Sequence, residues 1–98
     1  MTAPTTRAPI TPPTGQTWTF DAAALSAAVE RRRRDLRISR REVIRQTGGG
    51  TPSTLTRLDD GHHISVDVFL RLLMWLGCTD AEPFITAAPA RDEGAVDA

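Results

Sequence analysis

Three consecutive glycines, Gly48-Gly49-Gly50, followed at once by Thr51-Pro52, constrain this chain more than any other feature. Glycine extends a helix only at an entropic cost and takes positive φ freely, so a helix that runs into this triplet stops there. Thr51 then offers an N-cap oxygen, and Pro52 at the first helical position loses no hydrogen bond, so a new helix starts immediately. The chain must be built around two helices joined by a tight turn.

The other helix signals fall into place on either side. Asp21 is a candidate N-cap for a first helix, rich in alanine, with Phe20 set to staple onto Leu25; the pattern predicts that this helix ends before Leu36 and Ile38. Ser39 reads as the next N-cap, with Glu42 at the reciprocal capping-box position and Val43 and Ile44 facing inward. Leu55 and Leu58 give the third helix its inward face, and Gly61 sits where a left-handed cap is wanted. Ser65 opens a fourth helix that runs to Leu76 and closes at Gly77. Thr79 and Glu82 predict a weak fifth helix through Phe84 and Ile85, with Pro83 limiting its first turn. The fold class expected is all-α, a five-helix domain over 18–88. A Thr/Pro/Ala-rich arm over 1–17 and an acidic tail over 89–98 carry too little apolar periodicity to order themselves and are expected to be disordered.

Ninety-eight residues allow one such core. With Cys78 as the sole cysteine, neither an intrachain disulfide nor a cysteine-rich zinc site is available, which fits a reducing cytoplasm. The apolar stretch from Val66 to Leu76 is interrupted by Asp67 and Arg71 and is too short for a bilayer, and the N-terminus lacks a signal-peptide pattern. A cytoplasmic protein of bacterial type, with no membrane partner, is the expectation.

A formal net charge of zero hides an uneven distribution. Between Glu30 and Arg57, nine arginines stand against three carboxylates, an excess of six positive charges, whereas the chain from Asp80 onward carries an excess of four negative ones. A basic stretch of this kind fits a phosphate-binding face.

The blocks LRISRREVIRQTGGGTPSTLTRLDDG and ISVDVFLRLLMWLG, taken together over about Leu25 to Gly77, resemble the lambda-repressor/Cro (XRE) family of helix-turn-helix regulators. Ile38-Ser39 resembles the family's entry to helix two, Thr51 to Leu58 its recognition helix, and Asp59 with Gly61 its acidic ending. Gly49-Gly50 replaces a hydrophobic residue of the family pattern and lengthens the turn by one position, and Ile44 stands where a small alanine is usual. The resemblance implies double-stranded DNA as partner, with Pro52, Ser53, Thr56 and Arg57 at base edges. Arg57 is the strongest reader, because its guanidinium can pair bidentately with guanine. Phosphate contacts would come from Arg40, which replaces a glutamine of relatives, and from Thr51, with Arg41 and Arg45 as looser candidates. The resemblance also implies an ion pair between Arg33 and Asp59 that ties the first helix to the third.

His62-His63 lacks the three or four converging ligands that a metal needs, so no metal is expected there and a phosphate contact from that loop is the better reading. Neither a catalytic constellation nor a cofactor motif is visible, and no enzyme activity, cofactor or small-molecule ligand is expected. The fourth helix is apolar around most of its circumference. Either Trp18, Phe84 and Ile85 wrap around it, or Val68 and Trp75 help to form a homodimer surface. The function expected is sequence-specific DNA binding by a transcriptional regulator, a repressor of phage or bacterial type. The alternative is a protein-interaction module on the same fold, an antitoxin or antirepressor that uses the apolar fourth helix.

Overall fold

The computed structural model describes residues 9–90, and the expected disorder of 1–8 and 91–98 lies outside them. The described residues are mostly helical, with four α-helices and one two-stranded sheet, and the chain divides into two units. The helical unit runs from Phe20 to Thr86. It contains α1 (Ala22–Leu36), α2 (Arg40–Thr47), α3 (Pro52–Asp59) and α4 (Val66–Leu76), followed by a 3-10 turn (Glu82–Phe84).

Capping residues set these boundaries. Asp21 accepts from the Ala24 N–H at 3.0 Å, Ser39 from Glu42 at 3.1 Å and Ser65 from Val68 at 3.2 Å, each satisfying a donor that the helix start leaves free. The reciprocal half of the Ser39–Glu42 box is absent, because the Glu42 carboxylate turns to Arg45 and Gln46 instead. At Thr51 the partner is Thr54, whose hydroxyl accepts from the Thr51 N–H at 3.3 Å. α1 extends through Leu36, beyond its expected end, and closes on Arg37 in the left-handed region with φ 56°. The Ile38 N–H reaches back to the Arg33 carbonyl at 3.2 Å, as a Schellman ending requires.

The core is one cluster drawn from every helix. Leu25, Val29, Val43, Leu55, Leu58, Leu72, Leu73 and Phe84 are buried, and α1 packs against both α3 and α4. Of the residues expected to wrap α4, Phe84 is buried and meets Phe69 edge to face, and Ile85 is about half exposed.

The fifth helix does not form. Asp80, not Thr79, caps the segment by accepting from the Glu82 N–H at 2.9 Å, and only a single 3-10 turn follows before Ile85 enters an extended conformation. Pro83 removes a donor from that short turn, and the β-branched Ile85-Thr86 favours a strand. The sheet therefore pairs β1 (Gln16–Phe20) with β2 (Ile85–Pro89), which corrects both the all-α expectation and the inner limits of the two tails. Gly15 accepts from the Ala90 N–H at one end and Phe84 from Asp21 at the other, so the strands run antiparallel. In the second unit, whose described residues are 9–19 and 87–90, the Trp18 indole donates to the Ile10 carbonyl at 3.1 Å.

Each glycine of the triplet has its own reason. Gly48 and Gly50 hold φ of 88° and 86°, which a side chain would strain, whereas Gly49 leaves room for the Arg71 guanidinium to lie across the turn. Since a Cβ on Gly48 would meet nothing within 4 Å, Gly48→Ala isolates the backbone cost. It should lower the unfolding free energy in urea by about 1–2 kcal/mol. Gly49→Ala should cost less than that, because the atom in the way is the end of a flexible arginine.

Candidate nucleic-acid interface

The inward positions of α3 are Leu55 and Leu58, only 2% and 1% exposed. On a helix this leaves Pro52, Ser53, Thr56 and Arg57 together on the outer side, and all four are exposed. Arg57 belongs to none of the ion pairs among the described residues. Together with Thr51, Ser53, Thr54, His63, Ser65 and Val68 it lines an open cleft of about 390 Å³ between the starts of α3 and α4.

Behind this face runs a chain of polar contacts. The Ser26 hydroxyl, buried on α1, donates to Asp59 Oδ1 at 3.1 Å. Asp59 Oδ2 lies 4.0 Å from Arg40 Nη2, and Arg40 also approaches Glu30 through Nε at 3.4 Å and donates from Nη1 to Thr56 Oγ1 at 3.3 Å. Glu30 in turn receives Arg33, whose Nε and Nη2 both donate to its carboxylate, while Arg33 Nη1 donates to the Ile38 carbonyl at 3.0 Å. α1, α2 and α3 are thus tied through three arginine–carboxylate pairs and one serine.

The expected Arg33–Asp59 pair does not form. Glu30 lies one turn back on the same helix, so Arg33 reaches it with little ordering cost. Asp59 turns instead to Ser26 and Arg40, and Arg40 takes the tying role assigned to Arg33. Arg40 is therefore occupied by protein groups in this structure, and its side chain is only 32% exposed.

The remaining expected phosphate ligands are scattered around this face. Arg41 is exposed, whereas Arg45 is paired with Glu42, whose carboxyl is pushed down to about 2 by hydrogen bonds from Arg45 and then from Gln46. Thr51, His62 and His63 are exposed, and the His63 ring meets Phe20 edge to face. Val68 and Trp75 are half-buried. The Trp75 indole donates to Gln46 Oε1 at 2.8 Å and the Arg32 guanidinium sits 5.3 Å from its ring centre, so Trp75 is spent within the domain. What α4 leaves outside is the stripe Val66, Leu70 and Met74.

Ser26, Glu30 and Arg71 escaped the reading of the sequence. A signal was present for Ser26, the lone polar residue among Ala22, Leu25 and Val29 on the buried side of α1. Arg71 had none, because its place over Gly49 depends on how α4 packs.

The hydrogen bond from Arg33, with the charges of Arg40 and Arg33 adding to it, outweighs burial and holds the Glu30 carboxyl below its ordinary value of 4.5. A depressed carboxylate stabilises the fold above its unfolded value, and that contribution is lost as pH falls through the folded one. Glu30→Gln should therefore be less stable than the parent protein at neutral pH, with the difference shrinking as pH drops below 4.5. Chemical unfolding across this range measures it, and a gap that stays constant with pH would exclude Glu30 as a source of acid sensitivity.

No family model, curated protein or solved structure matches this chain, so the reading of its surface rests on the residues and their geometry.

Proposed function

We propose that the protein binds double-stranded DNA in a sequence-specific manner, with α3 in the major groove, and that it acts as a transcriptional regulator, a repressor of phage or bacterial type on a lambda-repressor-like fold. The observation that carries this reading is the outer face of α3. Ser53, Thr56 and Arg57 are exposed together on a short helix that Asp59 ties to Ser26 of α1 and Arg40 of α2, and a held, solvent-facing set of polar groups is what base-edge recognition requires. Arg57 supplies the bidentate fork, and Ser53 and Thr56 supply hydroxyls. Arg41, Thr51 and the His62-His63 loop flank this face and are assigned to phosphates.

Selection of bound duplexes from random DNA at physiological salt tests the reading, and one enriched motif is expected. Arg57→Ala should cost about 1–3 kcal/mol at one base pair and leave other positions unchanged. Affinity should fall with salt along a log–log slope of about −0.9 per phosphate contacted. Failure of the parent protein to enrich any sequence would reject the proposal.

The exposed stripe Val66, Leu70 and Met74 favours a second reading, a protein-interaction module on the same helices, with a second copy as the simplest partner. Loss of DNA binding in Arg40→Ala plus Arg57→Ala with self-association in sedimentation kept separates the two, and a dimer that also binds DNA should select a palindrome with half-sites about one helical turn apart.

A further inference from the structure

We infer that Arg40 is a specificity-setting positioning residue: it takes one lone pair of the Thr56 hydroxyl and leaves the proton facing outward, so that Thr56 favours a base edge that presents an acceptor. This rests on the DNA-binding reading and goes beyond it by naming what one position of the site accepts.

A threonine hydroxyl has one proton and two lone pairs and serves as donor or acceptor as its surroundings dictate. A guanidinium has donors only, so the contact between Arg40 Nη1 and Thr56 Oγ1 uses the oxygen as an acceptor. The proton must then go elsewhere. Within a helix its usual destination is a backbone carbonyl of the preceding turn, as at Thr47, whose hydroxyl donates to the Ile44 carbonyl at 3.0 Å. Thr56 makes no such bond among the described residues, and its side chain is on the outer face of α3. Its proton is directed to whatever lies against that face.

Arg40 is not free to release the hydroxyl. Glu30 and Asp59 both hold the same guanidinium, Glu30 is itself held by Arg33, and Asp59 by Ser26. Swinging Arg40 out to a phosphate would cost Glu30 and Asp59 the cation they share. In the major groove the acceptors are N7 of either purine, O6 of guanine and O4 of thymine, whereas cytosine N4 and adenine N6 are donors. Thr56 favours the first set over the second, because its proton has no partner among the described residues and Arg40 already takes one of its two lone pairs.

Thr56→Val, which removes the hydroxyl and keeps the shape, identifies the position when its selected motif is compared with that of the parent protein. At that position, parent protein is titrated with duplexes in which each acceptor is removed in turn: 7-deazapurines in place of purines, 2-aminopurine in place of guanine to remove O6, and thymine with hydrogen in place of O4. One of these should weaken binding about three- to tenfold. Arg40→Met, which keeps the stem and loses the donors, should admit amino-bearing edges at that position while retaining the parent's salt slope.

If no acceptor removal weakens binding, or if loss of the thymine methyl alone does, the donor assignment is wrong. A uniform loss of affinity in Arg40→Met with the slope reduced by about 0.9 would instead make Arg40 a phosphate contact. Should Arg40→Met fail to fold by circular dichroism, the duplex series with parent protein still decides. A parent protein that enriches no motif overturns DNA reading and this inference together. A clear motif that Thr56→Val leaves unchanged overturns this inference alone.

Discussion

The arrangement of α3 depends on a shared guanidinium. Arg40, at the first turn of α2, stands between a carboxylate of α1 and a carboxylate that ends α3, and no other group in the helical unit touches all three helices with charge. Hydrophobic contact holds α3 against α1, with Leu25, Val29, Leu55 and Leu58 in one core, but apolar packing is nondirectional and tolerates small rotations of a short helix about its axis. The polar chain from Ser26 to Arg33 fixes that rotation, because each link has preferred distances and angles. Without Arg40, Glu30 would be left with Arg33 alone and Asp59 with Ser26 alone, and the polar link between α2 and the other two helices would be gone.

All cations in this chain of contacts are arginines, and arginine keeps its charge throughout the accessible pH range. Any titration of the tie therefore enters from the carboxylate side, as at Glu30. The planar fork also explains how one residue serves three partners: Nε, Nη1 and Nη2 of Arg40 each face a different one. A lysine, with a single nitrogen, could not span them.

Much of the helical framework was legible because it is punctuated by local chemistry. Asp21, Ser39, Thr51 and Ser65 cap the helix starts, and Gly48, Gly61 and Gly77 take the left-handed turns, as their residue types imply. Arg37 adopts the same backbone region without being glycine, which is why the end of α1 was placed too early. The strands were missed although Thr17-Trp18-Thr19-Phe20 alternates with period two, since the surrounding prolines and threonines read as an arm. The segment after Gly77 failed for the opposite reason: Thr79 and Glu82 have the spacing of a capping box, but Asp80 outcompetes Thr79 and Pro83 limits the turn. At the candidate site the outward set on α3 came from the family resemblance, and the helical spacing around buried Leu55 and Leu58 agrees with it. The partner of Asp59 was not legible, because it depends on which of several nearby arginines packing delivers to it.

α2 and α3 contain eight residues each, about 12 Å of helix. Helices this short are not stable by themselves in water and exist only while docked on α1 and α4. The outer face of α3 therefore comes into being in the same step as the core and disappears with it. Any ligand of that face adds its binding free energy to the stability of the whole helical unit, since the unfolded chain offers it no equivalent surface. Occupancy of the surface and integrity of the interior are one linked equilibrium.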